Sequence, residues 1–252
     1  MTKLKLEFMP EATQKNFARL KDDPRLAAFT LVGGTALALQ IGHRFSEDLD
    51  FNIFGQKLPT SAIDALLDEL AASGATIESL ITSEQKLAFK INTSENLDHF
   101  IQDYLINGSK VTFHSRNEND RPKAQIDFLK STPKLVVSKR GFGVLGIDGL
   151  LVMKSIVVYD RLKSRDIYDL MVLTRDHGYA LDDVFAAINA YQPIRNKDPE
   201  YFKSVVTGVV PVDKNDEGFS SIHLNVKMAE IYKYFRKLIN DYEIRAVQKL
   251  RA

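Results

Sequence analysis

The feature that most limits what this chain can fold into is Leu31-Val32-Gly33-Gly34-Thr35, followed at positions 48 and 50 by a pair of aspartates. Phe29 to Val32 is a short apolar run, two glycines turn the chain, and Thr35 to Ile41 is made of strong helix formers closed by Gly42. A strand, a glycine turn and a helix start make a phosphate cradle. Glycines let a ligand approach the backbone, and the helix N-terminus offers free N–H groups and a positive dipole end. No Gly-Lys-Ser/Thr follows, so the turn is not a P-loop. Taken alone, the two glycines also fit an ordinary tight turn.

Asp48 and Asp50 stand two apart at the start of a strand-like run, Leu49 to Phe54. Residues i and i+2 of a strand point to the same side. Two carboxylates on one side repel unless a cation lies between them. Magnesium takes oxygen ligands and keeps positions open for phosphates. The competing reading is a solvated acidic turn. Asp50, however, sits in a run that otherwise wants burial, and burying an unpaired carboxylate is costly. Asp127 interrupts a further apolar run, Ala124 to Leu129, whose alternation predicts another strand. Three acids from two neighbouring strands would make a two-magnesium site for in-line displacement at phosphorus.

Around these segments, Pro10 to Lys21 and Ser61 to Ala72 carry helical spacing, whereas residues 75–91 suggest two strands, 97–115 more strand or a mixed element, and Leu135 to Val137 another strand. Gly141, Gly143, Gly146 and Gly149 then cluster and mark a boundary. Only helical patterns follow: 148–160, 164–176, 181–190, 198–206 and 221–250. The expected fold class is α+β, with a mixed-sheet domain and flanking helices over residues 1–145, then an all-α bundle over 146–252. In the bundle, Lys154 lies on an apolar helix, where it either snorkels to water or meets an anion. Arg165, Asp166 and Asp169 have the spacing of a surface ladder. Tyr232, Tyr234, Phe235 and Tyr242 interleave with basic residues, a pattern that suits either stacking on single-stranded nucleic acid or simple inward packing.

Composition narrows the classes. A 252-residue chain with 44% hydrophobic and 27% charged residues is an ordinary globular one. Its net charge of +1 advertises no nucleic acid globally, but it hides net −5 over Phe45 to Leu70 and net +6 over Lys130 to Arg165. With no cysteine, there is no disulfide, thiolate nucleophile or cysteine zinc site. The start lacks the apolar core of a signal peptide, and Ala27 to Gly42 is too short and polar to span a bilayer, so a cytoplasmic protein with no membrane association is expected.

The run Gly33-Gly34-Thr-Ala-Leu-Ala-Leu, then Gly42-His-Arg44-x-Ser46-x-Asp48-Leu-Asp50-Phe, resembles the opening motif of the DNA polymerase β-like nucleotidyltransferases. More narrowly, it is similar to that of the AbiEii-type abortive-infection nucleotidyltransferase toxins. Lys154 and Lys163-Ser-Arg165-Asp166-Ile-Tyr168-Asp169-Leu170 follow in that group's order. The resemblance implies a nucleotidyltransferase-fold catalytic domain and a helical domain. It implies transfer of a nucleoside monophosphate from an NTP to RNA, such as tRNA, or to a protein hydroxyl, releasing pyrophosphate, and a cognate antitoxin as partner. It implies Asp48, Asp50 and Asp127 as ligands of two magnesium ions, with Gly33, Gly34, Thr35, Arg44 and Ser46 around the nucleotide. Lys154 is expected on the phosphates, and Arg165, Asp166 and Asp169 on the nucleotide or bracing the site. The alternatives are a small-molecule nucleotidyltransferase of the antibiotic-modifying kind and a non-catalytic nucleotide- or RNA-binding module on the same fold.

Overall fold

The computed structural model describes residues 4–116, 121–191, 199–219 and 224–251. The chain divides into two compact units, residues 1–150 and 151–252.

The first unit is built on one seven-stranded mixed sheet. Its strands are β1 (Thr30–Val32), β2 (Leu49–Phe54), β3 (Ile77–Ser79), β4 (Ile101–Ile106), β5 (Ser109–Arg116), β6 (Lys134–Val136) and β7 (Gly143–Leu145), in the order β3-β4-β5-β2-β1-β7-β6. β2 is central, antiparallel to β1 and parallel to β5. Strand alternation gives the sheet two unlike faces. Leu31, Phe51 and Phe113 lie on one face and are fully buried; Phe51 stacks on Phe113 with centroids 5.5 Å apart and meets Phe142 edge-on at 4.7 Å. Phe17, from helix α1 (Glu11–Leu20), closes on Phe142 and completes this core. The other face carries Asp50 and Asn52 on β2 beside Thr112 and His114 on β5.

Helix α2 (Gly33–Ile41) starts at the two glycines and ends at Gly42, whose N–H donates to the Ala38 carbonyl at 2.8 Å. Helix α3 (Thr60–Ala72) buries Ile63, Leu66 and Leu67, as its spacing predicts. Two expectations fail in this unit. Residues 75–91 give only the short strand β3, followed by helix α4 (Ser83–Thr93). A capping box at Thr82 and Gln85 starts that helix, each side chain bonding the other's backbone N–H. The predicted strand at 124–129 is instead helix α5 (Lys123–Ser131). Pro122 precedes it, and Ile126 and Leu129, three apart, supply its buried face. The glycine cluster serves close packing: a Cβ on Gly141 would sit 1.9 Å from the Lys21 carbonyl oxygen.

The second unit is helical. Helix α6 (Ile147–Asp160) crosses the division, and α7 (Ser164–Asp176), α8 (Leu181–Tyr191), α9 (Pro199–Val206) and α10 (Met228–Arg251) follow. The helix expected over 221–250 begins at Met228; residues 221–223, like 198 of the preceding expected helix, lie outside the described residues. α10 packs on α7, α8 and α9 through Ile231, Phe235 and Ile239. Its aromatics serve the bundle: Phe235 is fully buried, Tyr242 meets Phe185 at 5.2 Å, and the Tyr234 hydroxyl donates to Thr174 at 3.0 Å. Among the described residues no helix is long and apolar enough to cross a membrane.

Candidate active site

At the end of β1 the chain turns through Gly33, whose φ of +76° is a conformation that side chains resist. A Cβ there would lie 2.6 Å from Asp50 Oδ2, so the carboxylate stands directly against the turn. A Cβ on Gly34 would lie 2.5 Å from Arg44 Nη2 and 3.1 Å from Ser46 Oγ. Gly33 is therefore required by its backbone conformation, whereas a side chain at Gly34 would displace the ends of Arg44 and Ser46. The Thr35 hydroxyl donates to the Asp48 carbonyl and sits 2.8 Å from Ser46 Oγ. The Ser46 N–H donates to the Phe8 carbonyl at 3.0 Å, and Arg44 Nη1 to the Phe45 carbonyl at 2.9 Å. Arg44 and Ser46 are buried, whereas Asp48 and Asp50 remain partly exposed. Seven of the residues singled out from the sequence, Gly33, Gly34, Thr35, Arg44, Ser46, Asp48 and Asp50, thus gather where β1 ends and β2 begins.

Asp127 does not join them as a strand residue. It lies on the exposed side of α5, in an i,i+4 ion pair with Lys123. Across the strands, the residues in register with Asp50 are Val32 on β1 and Thr112 on β5. Among the described residues, no group of three or more His, Cys, Asp or Glu side chains is placed to hold a metal ion. The expected three-carboxylate set does not form, because the segment bearing Asp127 is helical. What remains is two aspartates two residues apart beside a glycine turn. That donor set suits one magnesium ion that shares its other positions with phosphate oxygens and water.

The second unit holds the remaining candidates. α6 is apolar, with Leu150, Leu151, Val152, Ile156 and Val158 buried, and it draws Lys154 inside with them. An ammonium there requires anions. Lys154 Nζ lies 2.5 Å from Asp166 Oδ1 and 2.6 Å from Asp169 Oδ2, both contributed by α7. Burial alone would push the Asp166 carboxyl up, but the charges of Lys154 and Arg161 outweigh it and hold it below the usual carboxylate range. Arg161 was not singled out from the sequence. Its Nε donates to Asp166 Oδ2 at 2.9 Å, so two cations balance two acids. The signal was present: Arg161 follows Lys154 by seven residues, about two helical turns, and stands just past the end of α6. Arg165 instead reaches Glu217, at 3.2 Å.

Comparison with known proteins adds the following. JHP933 from Helicobacter pylori shares this fold, with a TM-score of 0.51 and 18% identity over 94% of this chain and 96% of that one. The nucleotidyltransferase toxin MenT4 from Mycobacterium tuberculosis H37Rv aligns with a TM-score of 0.44 and 14% identity, over 90% of this chain and 77% of that one. The uncharacterized protein aq_aa25 of Aquifex aeolicus (strain VF5) is 26% identical over 216 residues, 85% of this chain and 87% of that protein. The family model described as nucleotidyl transferase AbiEii toxin, type IV TA system, matches residues 17–243.

Proposed function

The chain belongs to the AbiEii nucleotidyltransferase toxin family, and from that premise we propose that it transfers a nucleoside monophosphate from an NTP to a macromolecular acceptor, either RNA such as tRNA or a protein hydroxyl. The observation that carries this reading is the close approach of Asp50 to the Gly33 turn, which brings one carboxylate of the Asp48 and Asp50 pair against a phosphate cradle. A toxin of this family also has a cognate antitoxin as an expected partner, and NTP and RNA substrates place its action in the cytoplasm.

In this reading the α2 N-terminus and the Gly33 and Gly34 amides receive the triphosphate. Asp48 and Asp50 would hold magnesium, which when bound supplies positive charge at the reacting phosphate. The acceptor oxygen forms a bond to the α-phosphorus. The bond from that phosphorus to the oxygen bridging the β-phosphate breaks, its electron pair leaves on pyrophosphate, and the acceptor's proton passes to solvent. Arg44, locked by the Phe45 carbonyl and packed on Gly34, fixes the turn from beneath. In the second unit, Lys154 and Arg161 together balance the charges of Asp166 and Asp169, so this cluster braces α6 against α7.

The test is incubation of the protein with magnesium, each α-labelled NTP, and total RNA and cell protein. Label should pass from one or more NTPs to a macromolecule, and Asp48→Asn or Asp50→Asn should reduce transfer by at least about 100-fold, the scale of losing a main electrostatic element. Transfer at unaltered rates in either variant would refute the carboxylate assignment. Label that stays in small molecules would refute the macromolecular acceptor.

A further inference from the structure

The parallel register of β5 on β2 continues beyond the first residue of β2. Leu49 pairs with Val111, and one step earlier in alternation the Ser109 hydroxyl donates to the Glu47 carbonyl at 3.2 Å. Asp50 lies alongside Thr112, and the same register extended by one residue past the start of β2 sets Asp48 alongside Lys110. Successive strand side chains point to opposite faces, so Lys110 and Thr112 share the face of the two aspartates. The places on the neighbouring strand from which a third carboxylate would share a second ion are filled by an ammonium and a hydroxyl. Beyond them on β4, Asp103 is in register with Thr112, and Lys110 Nζ lies 3.3 Å from Asp103 Oδ2. That ion pair is long and its lysine is 41% exposed, so it is worth only about 0–1 kcal/mol. A phosphate can take the ammonium from it.

We propose that the aspartate pair holds a single divalent ion in the NTP complex, and that Lys110, released from Asp103, supplies the second positive charge at the α-phosphate. The inference rests on the nucleotidyl-transfer reading above. In-line displacement at phosphorus spreads negative charge over the non-bridging oxygens, and positioned cations are most of what a protein contributes to it. One divalent ion is balanced by Asp48 and Asp50 themselves, which leaves the triphosphate uncompensated. A lysine is a good point-charge phosphate binder and needs only to swing along its own strand. Lys110 keeps its proton throughout and forms no covalent bond, so the bond changes of the transfer are unaltered.

The experiment counts ions and measures affinity without turnover. The full chain is titrated with Mn2+ in the presence of the α,β-methylene analogue of each NTP; free Mn2+ is read by electron paramagnetic resonance and analogue affinity by calorimetry. One tightly held ion per chain is expected. Lys110→Met should keep that count and weaken the analogue about 10- to 100-fold, the worth of one charge-assisted hydrogen bond. Lys110→Arg should retain most of the affinity, a rescue that a merely structural lysine would not show. Lys110→Gln serves in place of the methionine variant if thermal melts show the latter to be unfolded. Two tight ions on the unaltered chain, or unchanged affinity in the variant lacking the charge, overturn the proposal. Asp48→Asn and Asp50→Asn separate the two readings: if both bind Mn2+ as the unaltered chain does, it is the metal role of the aspartates that fails.

Discussion

Lys154 is an ammonium in the interior of the second unit, and its two carboxylate partners are as buried as it is. Replacing it by alanine leaves two buried acids facing each other with only Arg161 to offset them. The expected cost is about 3–5 kcal/mol, measured by denaturant unfolding at neutral pH. Adding Asp166→Asn and Asp169→Asn to Lys154→Ala should recover much of that loss, since uncharged amides no longer repel. The sign with pH follows from Asp166, whose carboxyl is held below its unfolded value. Its stabilisation is present above pH ~4 and fades as pH falls further, so the Lys154→Ala deficit should shrink in acid. At Gly33 the effect is different in kind. Alanine there meets both the positive φ, costing about 1–2 kcal/mol, and the Asp50 carboxylate. Gly33→Ala should therefore lower Mn2+ affinity well beyond its modest fall in melting temperature; equal binding would show that Asp50 does not need to stand against the turn.

Single elements were legible in proportion to how local their signals are. β2 and α2 could be read directly, because an apolar run, two glycines and a helix-forming stretch each act within a few residues. α5 was misread because Ile126 and Phe128 alternate like a strand, while the spacing that won, Ile126 to Leu129, needs only one more residue to show. The Lys123 and Asp127 pair, four apart, was a second helical signal in the same ten residues. α4 was missed because its face is unburied and apolar periodicity is weak; only the Thr82 and Gln85 capping pattern announces it. The reassignment of Asp127 has a simple check. Asp127→Ala should shift stability by less than about 0.5 kcal/mol, as for an exposed i,i+4 pair, and leave the Mn2+ count unchanged. A lost ion in that titration would return Asp127 to the site.

On the scale of the whole molecule, the change from mixed to helical patterning was visible in the sequence, but strand register was not. β2 pairs with a strand some sixty residues later, and nothing local to either specifies that Thr112 rather than an acid will face Asp50. The partners of Lys154 were hidden for the same reason: an apolar helix bearing a lysine calls for an anion, and only the packing of α7 names it. The same face of the sheet sets a pH dependence for the protein. Burial, aided by the charges of Arg116 and Arg121, pushes the His114 imidazole down to about 3. The unfolded chain takes up that proton below about pH 6.5 and the folded chain does not, so stability should fall as pH drops from 6.5 toward 3, by up to about 1.4 kcal/mol per unit. Unfolding midpoints across that range should be flatter in His114→Gln, and an identical slope in the variant would rule the residue out as the source. The buried trio of Lys154, Asp166 and Asp169, with the exposed Arg161 on Asp166, carries a further consequence, for descent. Loss of Lys154 leaves Asp166 and Asp169 buried without their ammonium, and loss of either acid strips that ammonium of one of its two carboxylates, so no single step to a neutral residue is comfortable. A lineage can cross that barrier only by paired changes in quick succession, so these positions should be inherited, or abandoned, as a block.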